Sequence, residues 1–351
     1  MNSSFDYVPS PGDPSLLGQD APYGEDPAKI RRAFSRVGAG YLVLMVVLLM
    51  TTYALQYAVL ALVPQYLSAW WFSWVLSLVP LYAVALPCLW LMLRRLPVAP
   101  HSVTYVTPEG GAEEKPPFTV KHWLILLSIG FGCMYAGSIA GNVIMQILSA
   151  VMDYDYANVL SQMLEESPTW MIFLGTCVCA PFGEELLFRK LLIDRTRRYG
   201  DLPSILLSGF LFGLFHGNLF QFFYAFLLGI ILAYVYTRSG SYLWCVAMHA
   251  VVNFFGSIVI PPIAALVPTD VTEPMTFVQQ LILQLLNAWS CGWMMVAIVL
   301  LCVMWKRRKL SRGESPLPRG EGRRLVLVNP GVMACIVAMG LLMLVNLIPS
   351  R

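Results

Sequence analysis

The sequence predicts an all-α, polytopic membrane helical bundle of about nine spans with its N-terminus in the cytoplasm. Three observations carry that prediction. Of 351 residues, 58% are hydrophobic and 12% charged, against roughly 45–50% and 25% in a soluble domain, so this chain has too little polar surface to cover its apolar side chains in water. The apolar residues arrive in runs of about 20, the length a helix needs to cross hydrocarbon. Finally, all but two of the 23 Lys and Arg residues fall in alternate inter-span segments, as the positive-inside rule requires.

Taken in chain order, residues 1–38 are polar and rich in Pro, Gly, Asp and Ser, which predicts a disordered cytoplasmic arm with no apolar core of a signal peptide. Candidate spans follow at 39–65, 69–93, 122–151, 169–194, 202–217, 219–237, 241–262, 281–305 and 331–348. Only Gly217 and Asn218 divide the fifth from the sixth, and fusing them would leave eight. The chain divides into N-terminal membrane helices (39–151), a central core (152–262) and C-terminal membrane helices with a basic cytoplasmic linker (263–351, linker 306–324). Trp70, Trp71 and Trp74 suit an interfacial belt.

The distribution of charge sets the orientation. The segments assigned to the cytoplasm carry Lys29 to Arg36, Arg94, Arg95, Lys115, Lys121, Lys190, Arg195 to Arg198, Arg238 and the run KRRKLSRGESPLPRGEGRR. The exceptions are Arg351, at the extreme C-terminus, and Arg189, inside a span. The outer loops hold Asp153, Asp155, Glu165, Glu166, Asp270 and Glu273 without a basic residue. The basic run is read as a topology anchor facing anionic lipid, and no nucleic-acid partner is expected. All eight cysteines lie inside apolar runs, as packing residues do, which argues against a disulfide framework or a zinc ribbon. No internal repeat of the kind found in inverted-repeat transporters is evident.

An ionisable group in hydrocarbon costs a few kcal/mol even on lenient scales (~2.5–3.5 for Arg, Lys or Asp), so the exceptions are functional candidates. They sit in CAPFGEELLFRK (Glu184, Glu185, Arg189), FGLFHGN (Phe212, His216) and HAVVN (His249, Asn253). At about 100° per residue, Glu185 and Arg189 lie about 40° apart and can pair, whereas Glu184 points about 140° away and is free to face a cavity. Phe212 with His216, and His249 with Asn253, share the same four-residue spacing and each present one stripe. Counted at about 1.5 Å per residue from cytoplasmic markers, Glu184 lies roughly 17–21 Å deep, His216 roughly 22 Å and His249 roughly 17 Å. One unpaired carboxylate, two imidazoles and an amide in one layer suggest hydrolysis. Glu184 would take a proton from water, His216 would hold the water or pass a proton, and His249 with Asn253 would stabilise an oxyanion.

These motifs resemble those of the CAAX protease and bacteriocin-processing family of intramembrane proteases, also called Abi proteins. EELLFR is similar to its EExxxR signature, FGLFH to FxxxH and HAVVN to HxxxN, in the same order on successive helices, over roughly residues 169–256. The resemblance implies an all-helical membrane peptidase acting on a membrane-associated or lipidated peptide or protein in the bilayer, of the kind found in bacterial cell membranes. It implies Glu184 as base, His216 as the water-positioning group, His249 and Asn253 as oxyanion or substrate contacts, and Glu185 and Arg189 as the rest of the first motif. Simpler readings stand beside it. Glu185 with Arg189 is a structural ion pair, Phe212 a wall, and His101 and His122 ordinary interfacial residues. No cofactor is expected, although Glu184, His216 and His249 would be the ligands if zinc were bound. Two other classes of function remain open at this stage, a non-catalytic scaffold or bacteriocin-immunity protein, and a proton-coupled transporter. The oligomeric state is open.

Overall fold

A computed structural model of the chain describes residues 25–107, 111–156, 158–268, 274–304, 308–318 and 320–348. Every segment expected to span appears as a helix: α1 (Pro27–Leu62), α2 (Trp70–Leu93), α3 (Val120–Met152), α5 (Thr169–Tyr199), α6 (Asp201–Phe215), α7 (Leu219–Ser239), α8 (Tyr242–Ala264), α9 (Phe277–Met304) and α11 (Pro330–Val345). Short helices α4 (Val159–Glu165) and α10 (Gly322–Val326) and a hairpin of β1 (Thr104–Val106) with β2 (Ala112–Glu114) complete it. The hairpin is antiparallel, with Tyr105 opposite Glu113.

Among the described residues, seven helices are long and apolar enough to cross a membrane, whereas α6 has 15 residues and α11 has 16. At about 1.5 Å per residue these two reach roughly 22–24 Å, short of the ~30 Å hydrocarbon core. The fifth and sixth segments do not fuse, because Gly217 turns the chain at φ 66° between them. Of the arm expected at 1–38, residues 1–24 lie outside the described residues, and α1 already begins at Pro27. Asp26 caps it by accepting from the Ala28 N–H at 2.9 Å, and Pro27 occupies the first turn, where its missing N–H costs nothing. Ile30, Phe34, Val37, Tyr41 and Leu44 then form one buried stripe, which packs on α11 and α2.

Helix α7 lies between α3 and α6. Small residues allow this close approach: a Cβ on Gly137 of α3 would lie 2.4 Å from the Tyr224 Cα, and one on Gly213 of α6 2.9 Å from the Phe222 carbonyl. All eight cysteines are unbridged. Trp74 is buried rather than belted, with its Nε1–H donating to Ser167 Oγ at 2.8 Å.

One end of the bundle carries most of the basic segments and is closed by polar contacts. Buried Asp194 accepts from Tyr236 Oη at 2.8 Å and pairs with Lys190 at 2.8 Å and with Arg197. Arg195, taken as an interfacial marker, is buried and donates to the Leu93 and Leu191 carbonyls. Lys115 pairs with Asp201 at 3.1 Å, and Asp201 also accepts from the Ser311 N–H at 2.8 Å. The described part of the basic linker therefore folds back over this end. Its Leu310 carbonyl accepts from the Val106 N–H of the hairpin, and its Ser315 N–H donates to the Arg198 carbonyl. At the opposite end, Asn346 Nδ2 donates to the Gly217 carbonyl and Tyr156 Oη to the Leu347 carbonyl. We refer to these as the basic and acidic faces.

Candidate active site

The site is built around the middle of α5, whose backbone departs from α-helical pairing twice. Phe173–Cys179 and Leu186–Leu191 are π-helical turns. The first follows from the sequence CAPF. The Ala180 N–H bonds back to the Gly175 carbonyl, and Pro181 has no N–H to offer the Thr176 carbonyl five residues before it. Asn253 of α8 supplies the missing donor, with Nδ2 2.8 Å from that carbonyl. Hydroxyls from neighbouring helices reach other α5 carbonyls: Tyr82 of α2 to Cys179, Tyr242 of α8 to Phe182 at 2.5 Å, Tyr41 of α1 to Leu187 at 2.6 Å and Ser208 of α6 to Phe188 at 2.8 Å. Four helices thus fix the register of α5 through its backbone. Gly183, next to Glu184, makes room for Tyr82, since a Cβ there would lie 2.1 Å from the phenol oxygen.

Glu185 and Arg189 form the expected pair, Oε2 to Nε at 2.9 Å, with both side chains fully buried. Arg189 also sits 4.7 Å above the Phe212 ring and donates Nη2 to the Gly229 carbonyl at 3.4 Å. Glu185 has a second partner that helix geometry on α5 alone does not suggest. His249 Nδ1 lies 2.9 Å from its Oε1, and the other ring nitrogen, Nε2, lies 3.8 Å from Glu184 Oε2. Glu184 is the more open carboxylate, at 15% exposure.

The hydrogen bonds determine which ring nitrogens carry protons. A backbone carbonyl can only accept, so His216 Nδ1, 2.8 Å from the Phe212 carbonyl, must donate, which leaves a lone pair on Nε2 of the neutral ring. Glu185, opposite Arg189, likewise accepts the Nδ1–H of His249. Both imidazoles therefore direct Nε2 away from their anchors. Phe212 joins them: its ring makes edge contacts with His216 at 5.0 Å, His249 at 5.8 Å and Phe188 at 5.2 Å. It is a wall, as expected, and one that touches every cationic or imidazole group of the set. Glu184 lies within electrostatic range of His216, Tyr82 and Tyr224.

The structure thus brings together Glu184, Glu185, Arg189, Phe212, His216 and His249, with Asn253 bracing the α5 backbone one turn beyond His249. Among the described residues, no three His, Cys, Asp or Glu side chains group closely enough to hold a metal ion, the Glu184, His216 and His249 set included. Tyr82, Tyr41, Tyr242 and Ser208 escaped the sequence reading. A hydroxyl in an apolar span is the only signal they carry, and it does not say which carbonyl it will find.

Fold and site together define an all-helical, multi-pass membrane protein with a buried carboxylate–imidazole centre. Residues 166–255 match the family model described as type II CAAX prenyl endopeptidase Rce1-like, which bears out the resemblance carried by the three motifs over almost the same segment. No curated protein sequence matches the chain, and no solved structure matches it.

Proposed function

We propose that the protein is an intramembrane endopeptidase that hydrolyses a peptide bond of a membrane-associated or lipidated substrate with Glu184 as general base. The observation that carries this reading is the division of labour between adjacent carboxylates. Glu185 is consumed by Arg189 and His249, while Glu184 is partly open beside the free edge of His249. Water placed between Glu184 and His216 Nε2 meets two acceptors, which direct its hydrogens to them and its lone pair toward a carbonyl carbon. As the water adds, its proton passes to Glu184 and negative charge develops on the carbonyl oxygen. His249 can meet that charge from Nε2 when protonated, because Glu185 holds the imidazolium from the other side. Asn253 has one amide hydrogen committed to the Thr176 carbonyl and a second for the substrate. Collapse of the tetrahedral intermediate returns the proton from Glu184 to the leaving amine, so acid and base are the same residue in successive steps. The similarity of 166–255 to type II CAAX prenyl endopeptidases supports a lipidated or membrane-bound substrate.

The test is cleavage in H2(18)O by the protein reconstituted in bilayers. Wild type should place one heavy oxygen in the new carboxyl terminus, and Glu184→Gln and His216→Ala should fall by about 10²–10⁴-fold, the usual worth of a positioned acid or base. If both variants fold normally and still cleave at full rate, the assignment fails.

A further inference from the structure

Beside the charges of the centre itself, a cavity reaches a proposed catalytic residue. It encloses about 460 Å³ and opens on the acidic face, with His216 in its wall beside Tyr156, Asn158, Asn218, Gln221 and Asn346. Its volume lies within the range of ligand pockets, about 300–1,000 Å³. Among the described residues, its lining contains no Asp, Glu, Lys or Arg. Neutral amides and a phenol offer both donors and acceptors, which is the chemistry that matches a peptide backbone rather than a charged headgroup. The wall leads inward. Asn218 Nδ2 donates to Gln221 Oε1 at 2.7 Å, Gln221 Nε2 to Tyr224 Oη at 2.8 Å, and the Tyr224 ring lies 6.3 Å from that of His216 and within electrostatic range of Glu184.

Polar contacts tie the described residues of the other end together. There Asp194, Lys190, Arg197 and Tyr236 lock the end of α5, and Lys115, Asp201 and Ser311 draw the hairpin loop and the linker over it. The rim of the open cavity has its own charge. The segment that supplies Tyr156, Asn158 and Met163 also carries Asp153, Asp155, Glu165 and Glu166, all exposed, and 153–168 contains no Lys or Arg.

We propose that the peptide substrate enters through this cavity from the acidic face, as an extended uncharged segment flanked by cationic residues. This rests on the hydrolytic reading of Glu184 and His216 and adds to it a side of entry and a substrate charge. The experiment uses the full chain in sealed vesicles of each orientation, with Met163→Cys at the mouth and a charged, membrane-impermeant thiol reagent. Labelling from the acidic face should lower cleavage by Met163→Cys at least tenfold, reversibly on reduction, and leave wild type unchanged. Full labelling with undiminished cleavage, or labelling only from the basic face, would overturn the route. In the same vesicles, Lys/Arg-flanked peptides should be cleaved several-fold faster than Asp/Glu-flanked ones at low salt, with the gap narrowing as salt rises and on Glu165→Gln with Glu166→Gln. Equal rates for both peptide sets would overturn the charge preference. Glu184→Gln run alongside separates the two readings: if it is inactive while labelled Met163→Cys is active, only the route is lost, whereas an active Glu184→Gln removes the hydrolytic reading itself.

Discussion

Arg189→Met leaves Glu185 as a fully buried carboxylate with only His249 for company. Both members of the pair have no exposed side-chain surface, so the lost partner cannot be replaced by water. Removing one member of such a pair costs about 3–5 kcal/mol. The cation over the Phe212 ring at 4.7 Å is lost as well, worth up to about 2 kcal/mol when desolvated and included in that range. In thermal unfolding of the detergent-solubilised protein the loss corresponds to a fall in Tm on the order of 10 °C. The double variant Glu185→Gln with Arg189→Met removes both charges, and the glutamine carbonyl oxygen can still accept from His249 Nδ1. It should recover most of the lost stability, to within about 1 kcal/mol of wild type. Cleavage should not recover with it, because the introduced amide cannot hold an imidazolium as the carboxylate does. A single variant as stable as wild type, or a double variant no better than the single, would refute the argument that this pair is a buried, mutually dependent unit.

Three further outcomes follow from the same geometry. Asn253→Leu leaves the Thr176 carbonyl without its side-chain donor in a helix that cannot supply one, and should cost about 1–3 kcal/mol in chemical denaturation; Pro181→Ala, which restores an N–H nearby, should reduce that cost when combined with it. Phe212→Leu removes the ring that both imidazoles and Arg189 share, so kcat should fall roughly tenfold or more with KM little changed, since a misplacement of about 1 Å can cost 10²-fold; an unchanged kcat would reduce Phe212 to filler. His101, whose Nε2 donates to the Thr237 carbonyl, has its pKa lowered from 6.5, chiefly by burial and further by Lys115 and Arg197, with the carbonyl bond and Asp201 opposing. A depressed imidazole favours the docked loop when neutral. That stability is fully present above about pH 6.5 and is lost as pH falls toward the lower folded value, so the 94–118 loop should become more protease-sensitive between pH 7 and 5, and less pH-dependent in His101→Gln.

The bundle was largely legible because hydropathy and basic residues answer to the bilayer and not to partners elsewhere in the chain. The helices expected at 69–93, 122–151 and 219–237 appear within a few residues of those bounds. Length was harder to read. Residues 202–217 are as apolar as a span, yet α6 ends at Phe215 because Gly217 takes a left-handed turn there. At the site, the Glu185–Arg189 pair could be read from spacing on one helix. The bond from Glu185 to His249 could not, since it joins residues 64 apart on different helices. Arg195 and Arg197 look like interface markers in sequence, yet they are buried, because Leu93, Leu191, Asp194 and Tyr236 supply carbonyl, carboxylate and ring partners from other parts of the fold. The π-helical turns of α5 were hidden for a similar reason. Pro181 marks a missing donor, but only the fold reveals that Asn253 replaces it.

The most direct test of the central claim is comparative mass spectrometry of membrane peptides from cells carrying wild-type protein or Glu184→Gln at equal abundance. The account predicts a peptide terminus present only with wild type, lying in an uncharged segment flanked by Lys or Arg. Identical sets of termini from the two cell lines, with both proteins folded in the membrane, would contradict it.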